Sequence, residues 1–268
     1  MKGIRLCDDW ALLDTIEKCN KYNVWIEVQQ FHDLLAKQWE DEYQLEDRLN
    51  KDIESVKDSL NQITCGKSLH GPFREMNVGS KVPEIVNAAE KYYMKAYNIA
   101  SSLWCTEIVF HNGYIPWTSG ETKWAWRAIN FRKKFLDSTK WITICLENQF
   151  ELNSDMLIKI IDWVNDSRLK VCLDIWHAHA NSNMSVETRI EALWDRIVYY
   201  HLHNNHGKQD IPEHNNDEHL GLKYWTIDIA NVLKYAEKFS PDAIWCLESG
   251  INYQLEDLEI LKSLGYLS

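Results

Sequence analysis

Short apolar runs rich in β-branched and aromatic residues recur along this chain, separated by longer stretches whose apolar residues return every three or four positions. The first kind reads as a buried strand, the second as an amphipathic helix. Six of the runs end on a side chain that can bind a metal. They are Ser68-Leu69-His70, Ile108-Val109-Phe110-His111, Ile142-Thr143-Ile144-Cys145-Leu146-Glu147, Val171-Cys172-Leu173-Asp174, Val198-Tyr199-Tyr200-His201 and Ile244-Trp245-Cys246-Leu247-Glu248. Their endpoints lie 41, 36, 27, 27 and 47 residues apart, room in each case for a loop, a helix and the next strand. Burying a charge is costly unless it is paired or ligated. Six strands ending this way therefore predict a shared purpose: parallel and side by side, they bring their C-terminal ends to one place.

Two further strands, over 4–6 and 24–29, precede these six. Helices are predicted over 10–20, 83–104, 120–137, 154–166, 186–196, 227–238 and 253–264, and the charged segment 33–63 repeats Leu45, Leu49, Ile53, Val56 and Leu60 at helical spacing. Pro83 stands where a first helical turn favours it, and Gly71-Pro72 and Asn112-Gly113 turn the chain after two of the strands. The pattern makes eight strand–helix units with no linker, repeat or low-complexity segment. Alternating strands and helices imply a parallel sheet in an α/β fold, and eight units predict a single (β/α)8 TIM barrel over 1–268. An open doubly wound sheet is the alternative, but no Gly-rich dinucleotide loop follows the first strand.

Composition narrows the partners. A length of 268 residues suits a barrel of about 250, and a hydrophobic content of 45% supplies its core. Forty acidic against 29 basic residues leave a net charge of −11, which argues against a broad phosphate-backbone surface. The seven cysteines are odd in number and show no CxxC spacing. Cys145, Cys172 and Cys246 lie within strands and read as small buried thiols of a reduced, cytoplasmic protein. With no signal peptide and no apolar run near the roughly 18 residues of a membrane helix, no membrane partner is expected. The charged run 40–58 reads as a solvated helix face, and a homo-oligomer stays open as a partner.

In a parallel barrel, chemistry gathers at the C-terminal strand ends. Glu147, Asp174, His201 and Glu248 stand there, and His177 follows Asp174 by three residues. Mixed carboxylate and imidazole ligation suits Zn²⁺ or Mn²⁺, with Co²⁺ and Mg²⁺ as alternatives, and the lack of a thiolate at these endpoints argues against a structural zinc site. His70, His111, Asp217 and His219 form a second group, for further ions or for substrate. Taken singly, a strand-end carboxylate is more often a helix cap and a histidine more often a satisfied core group. Their coincidence at matching positions is what predicts a metal site. Alternation aims His203 into the same cavity. Trp176, Trp117 and Trp225 are placed as apolar faces for a sugar ring, Trp245 as core, and His32 and His214 as surface residues.

The runs Leu69-His70-Gly71-Pro72-Phe73, Val109-Phe110-His111-Asn112-Gly113, Cys145-Leu146-Glu147-Asn148, Cys172-Leu173-Asp174-Ile175-Trp176-His177-Ala178-His179, Tyr200-His201-Leu202-His203-Asn204-Asn205 and Asp217-Glu218-His219-Leu220-Gly221-Leu222 resemble the xylose-isomerase-like superfamily, in order and over essentially the whole chain. That superfamily holds sugar and sugar-phosphate isomerases and epimerases together with endonuclease IV, the apurinic-site repair enzyme. The resemblance implies a shared metal site at Glu147, Asp174, His201 and Glu248. In the nuclease branch the match extends to His70, His111, His177, Asp217 and His219 as a three-zinc cluster, so the expected cofactor is one to three divalent ions per chain.

Two departures weigh against the nuclease branch. Lys223-Tyr224-Trp225 fills the place of a Gly-x-Gly turn, and Ile4-Arg5-Leu6-Cys7-Asp8 replaces a Gly-Ala-His type first strand. Glu27, in Ile26-Glu27-Val28-Gln29, resembles a substrate-side glutamate of the sugar enzymes; the other reading is a structural carboxylate tied to a neighbouring strand. The expected function is therefore a metal-dependent sugar or sugar-phosphate isomerase or epimerase. Glu147 and Glu248 would pass a proton through an enediolate, with Glu27, His203 and Trp176 as substrate contacts. The alternative is an endonuclease IV-like multi-zinc phosphodiesterase acting on abasic DNA.

Overall fold

Eight strands pair edge to edge, each with the next in sequence and the last with the first, all parallel, to close a barrel. The computed structural model describes residues 3–31, 42–63, 66–74, 76–118, 120–206, 218–224 and 226–267. The strands are β1 Ile4–Cys7, β2 Trp25–Val28, β3 Lys67–His70, β4 Glu107–His111, β5 Thr143–Glu147, β6 Leu169–Asp174, β7 Ile197–Leu202 and β8 Ile244–Leu247. The helices among the described residues are α1 Leu12–Tyr22, α2 Glu42–Leu60, α3 Pro83–Ser102, α4 Glu121–Asp137, α5 Asp155–Val164, α6 Ile175–Asn181, α7 Val186–Leu193, α8 Ile229–Phe239 and α9 Gln254–Ser263. None is long and apolar enough to cross a membrane. His32, Cys65, His214, Asp217 and Trp225 lie outside the described residues.

The element pattern agrees with the periodicity except after β6. There the chain enters α6 directly from Asp174, whereas the periodicity predicts only the helix over 186–196 before β7. Seven residues are too few to show a helical period. The local signal is the Asp174 side chain, which caps the helix by accepting from the His177 N–H at 2.6 Å. That cap places His177 over the strand ends.

Alternation along the strands sorts their side chains into two populations. Leu6, Ile26, Leu69, Phe110, Leu146, Leu173, Tyr200 and Leu247 belong to the large apolar core beneath the helices. The others face the lumen. Cys7, Val109, Cys145, Cys172, Tyr199 and Cys246 form one buried cluster there, in line with the expectation of small buried thiols. Arg5, at 0% exposure, is paired with Glu107 at 2.5 Å lower in the barrel. Two residues on from each member of the cluster, one pleat higher, stand Asp9, His111, Glu147, Asp174, His201 and Glu248. Glu27 and Ser68 lead in the same way to Gln29 and His70. Every strand thus supplies one lumen residue and, two positions later, one rim residue.

The turns above the rim need their glycines. A Cβ on Gly71, directly after His70, would lie 2.3 Å from the Phe110 ring, and one on Gly113, at φ 78°, would lie 2.2 Å from the Met76 carbonyl oxygen.

Candidate metal centre and active-site cavity

The four strand-end ligands converge around the His201 ring. Its Nδ1 lies 3.1 Å from Glu248 Oε2, 3.5 Å from Glu147 Oε2 and 3.9 Å from Asp174 Oδ2. One donor atom from each of the four residues falls within 4.8 Å of all the others. Ligands held at about 2.0–2.2 Å from one ion stand roughly 3.0–3.6 Å apart in tetrahedral or octahedral geometry. His201 Nδ1 is buried and makes no hydrogen bond in spite of these near oxygens, so ring nitrogen and carboxylates aim at a common point between them. Three carboxylates this deeply buried require compensating positive charge. Donor type, spacing and charge all fit a divalent cation.

A second ring of contacts holds each ligand. His201 Nε2, the other ring nitrogen, sits 3.2 Å from Glu27 Oε1, and Glu27 Oε2 accepts from the Tyr199 hydroxyl at 2.7 Å. This carboxylate–histidine pair leaves Nδ1 turned toward the carboxylates. Asp174 is held by His203 Nε2 at 3.0 Å, while Asn148 pairs with the Asp174 backbone through both of its side-chain groups. Glu147 has His70 Nε2 at 3.2 Å, His111 Nε2 at 3.4 Å and His177 Nδ1 at 3.1 Å. Glu248 Oε1 accepts from Gln29 Nε2 at 2.8 Å.

Electrostatics follow from this packing. Burial raises the carboxyl pKa values, and the histidines overturn it. Glu147 is held well below its ordinary value by His111, His201 and His177. Asp174 is lowered by His177 and His203, Glu248 by His201 and His219, and Glu27 to about 2 by His201 and His70. In return, burial works against His70, but the hydrogen bond and charge of Glu147 bring it up to about 9. His111 goes the other way, down to about 4, because burial outweighs Glu147. A neutral His111 keeps a lone pair available near pH 7.

The rim encloses a cavity of about 380 Å³. His70, His111, Glu147, His177, His219 and Glu248 all line it. His70, His111 and Glu147 form a further donor group within 4.8 Å, and His203, His219 and Glu248 another. His219, at φ 45°, has its Nδ1 2.7 Å from the Glu248 carbonyl oxygen and stacks on His203 at 4.5 Å.

Three expected substrate contacts stand outside this lining, as do Asp174 and His201. Glu27 and His203 are buried beneath the ligands they orient, and neither lines the cavity. Trp176 stacks on His203 at 6.1 Å, behind Asp174, and is only 5% exposed. Trp117, at 99% exposure, points to solvent, and Trp245 is core as expected.

The walls come instead from residues without a ligand signature in the sequence. Asp9, Trp10, Gln29 and Phe73 line the mouth. Asp9 and Trp10 have consecutive positive φ angles of 34° and 63°, backbone strain of a kind that collects at functional sites. Asp9 Oδ2 fixes the turn by accepting from the Ile251 N–H at 2.9 Å. Among the described lining residues there is no lysine or arginine.

Below this turn lies Asp8, fully buried, with its carboxyl pushed up by burial to about 7 against the backbone N–H groups of Gln29 and Trp10. The folded state therefore holds this proton where the unfolded chain, with a carboxyl near 3.8, has lost it. Stability is lost as pH rises from about 4 to 7 and is level above that. Asp8→Asn is expected to be more stable than wild type at pH 8 by about 2–4 kcal/mol, an advantage that vanishes by pH 4. Urea melts at the two pH values check this; an equal difference at both would refute it.

The model of the family described as xylose isomerase-like TIM barrel matches residues 25–264. No curated protein matches the sequence significantly. Among solved structures, a D-tagatose 3-epimerase-like protein superposes with a TM-score of 0.77 at 21% identity, covering 98% of this chain and 97% of its own. A Thermus thermophilus protein soaked with ZnCl2 gives 0.72 at 19% identity, with 98% and 97% coverage. A D-allulose 3-epimerase from Methylomonas sp. in complex with D-allulose gives 0.72 at 16%, with 98% and 96%. At these identities the structures speak for the fold, and the family match covers nearly the whole chain: the protein belongs to the xylose isomerase-like TIM barrel family.

Proposed function

We propose that this protein is a divalent-metal-dependent epimerase or isomerase of an unphosphorylated sugar. The observation that carries the reading is the pair Glu147 and Glu248, which both line the cavity and present Oε2 to the same point beside His201 Nδ1. Glu147, Asp174, His201 and Glu248 would hold the ion. When bound there, a Zn²⁺ or Mn²⁺ ion supplies Lewis-acid polarisation of a substrate carbonyl and the hydroxyl next to it.

The chain's own groups then account for proton transfer. One of the two carboxylates removes the proton from the carbon beside the carbonyl, and the other returns one to the opposite side of the resulting enediolate. His177, with Nδ1 at Glu147 Oε1, sits where its other ring nitrogen can donate to a substrate oxygen, and His70, with Nδ1 on the Gly71 carbonyl oxygen and Nε2 at Glu147 Oε2, steadies the carboxylate. Trp10 and Phe73 offer apolar faces to sugar C–H groups, and Asp9 an acceptor for hydroxyls. The acidic rim without a lysine or arginine among its described residues supports a neutral sugar over a sugar phosphate. The name of the Methylomonas protein, solved with D-allulose, points to the same substrate class.

One observation favours a second reading. His70, His111 and Glu147 form a separate donor group that shares Glu147 with the first, as a multi-zinc phosphodiesterase of the endonuclease IV type requires. Elemental analysis of protein purified without chelator separates the two. One ion per chain is expected, and two or three zinc ions would move the reading to abasic DNA. In D2O, the protein loaded with Mn²⁺ or Co²⁺ is expected to place solvent deuterium on the carbon next to the carbonyl of a free ketohexose. Metal-loaded protein that labels no ketose or aldose would refute the isomerase reading.

A further inference from the structure

We propose that Gln29 is a positioning residue that fixes which oxygen of Glu248 faces the reacting centre; the role rests on the epimerase or isomerase reading above. Gln29 follows β2 directly and stands two residues beyond Glu27, so the pleat turns both to the lumen. Its Nε2 lies 2.8 Å from Glu248 Oε1 and 3.3 Å from Glu27 Oε1. Both partners are carboxylates with no proton to give, so the amide must present its N–H₂ group to them. One side chain therefore bridges the general acid–base candidate and the carboxylate that orients His201.

The consequence concerns Glu248. With Oε1 occupied by the amide, Oε2 is the oxygen turned inward, 3.1 Å from His201 Nδ1 and 3.8 Å from His203 Nε2. A carboxylate next to an ion can engage it through one oxygen or both. The Gln29 contact favours one and keeps the Glu248 plane from swinging. A neutral donor suits this role, because the charge-assisted bond of an arginine or lysine would hold the carboxylate but lower its basicity. Glu147 is different, with His70, His111 and His177 around it and no amide bonded to it among the described residues. The two carboxylates are thus held by unlike means. The nine-tenths of the Glu248 surface that is buried excludes water as an alternative partner for most of that side chain.

The test uses full-length protein loaded with Co²⁺, whose visible absorption reports coordination. Gln29→Leu removes the donor at similar size, and Gln29→Met does so at similar length should the first variant fold poorly. Co²⁺ affinity is expected to stay within about threefold of wild type, while the absorption band shifts as Glu248 is released. With a ketose, kcat per bound ion should fall about 10- to 100-fold with KM little changed, the size expected when a reacting group is misplaced by about an ångström. A spectrum and a kcat per bound ion equal to wild type would overturn the proposal, as would a loss confined to thermal stability. If wild-type protein turns over no sugar, the functional reading fails by itself. The Co²⁺ spectrum then still decides on Gln29: shifted bands support the role in holding Glu248, and unchanged bands refute it.

Discussion

Glu147→Gln is expected to abolish turnover, with kcat lower by about 10³-fold or more, and to make the metal-free protein less stable than wild type near neutral pH. The first effect joins two losses. An amide cannot accept the substrate proton, which by itself removes about 10²–10⁴-fold, and it is a poorer ligand than the carboxylate at a position shared by two donor groups. The second effect has the sign of breaking a buried pair, which costs about 3–5 kcal/mol. Glu147 is held well below its ordinary value, so its histidine neighbours outweigh both burial and the repulsion of the nearby carboxylates, and a neutral amide gives that net gain up. The histidines themselves register the change. His70, held at about 9 through Glu147, should titrate much lower in the variant, because burial alone depresses an imidazole. NMR titration of the metal-free proteins, with thermal melts of both, checks the set. A variant that kept its turnover would remove Glu147 from the chemistry.

Removing the metal should have the largest effect on stability. An ion at about a thousand times its dissociation constant stabilises the fold by roughly 4 kcal/mol. In a domain of this size that corresponds to a thermal midpoint about 8–16 °C higher, which chelator should erase and Mn²⁺ or Zn²⁺ restore. The pH dependence follows from the ligand set. Glu147, Asp174 and Glu248 have lowered pKa values and remain ionised into mild acid. His201 is raised well above its ordinary value, since Cys172, Glu248, Glu27 and Glu147 together outweigh its burial. Metal uptake therefore displaces the His201 proton below that raised pKa, and apparent affinity should weaken about tenfold for each unit the pH falls. Calorimetric titrations at three pH values measure the slope. A midpoint indifferent to chelator and to added metal would show that these residues form a histidine–carboxylate cluster and no more.

Much of this site is legible in one chain because a parallel barrel turns a linear regularity into a spatial one. His70, His111, Glu147 and Asp174 each close an apolar run, and in the fold each closes a strand, while His201 stands one residue before the end of β7. Glu248 stands one residue beyond β8. His219 belongs to no strand, while Asp217 falls outside the described residues. Gln29 is equally within reach. It holds the same position relative to Glu27 that Glu147 holds to Cys145 and His201 to Tyr199, but an amide carries no ligand signature and the run ending there reads as ordinary strand. The short α6 escapes a periodicity argument because seven residues carry no period. Its capping aspartate, Asp174, reads first as a ligand, and in the fold its side chain caps the helix.

What the sequence by itself determined is the set of positions: eight strand–helix units, the period of two that turns one side chain of each strand end inward, and ligands of the hard-to-borderline type. Those follow from local chemistry, since pleat and apolar spacing act within a few residues. Tertiary structure alone decided the depth and role of each group. Glu27 lies in β2, Gln29 just past it and His203 just past β7, yet Glu27 and His203 are buried against His201 and Asp174 while Gln29 reaches the cavity wall. Those assignments depend on the stagger between strands far apart in sequence and on which face of a buried imidazole meets which carboxylate. Distances of that kind are set by closure of the barrel, and no local pattern contains them.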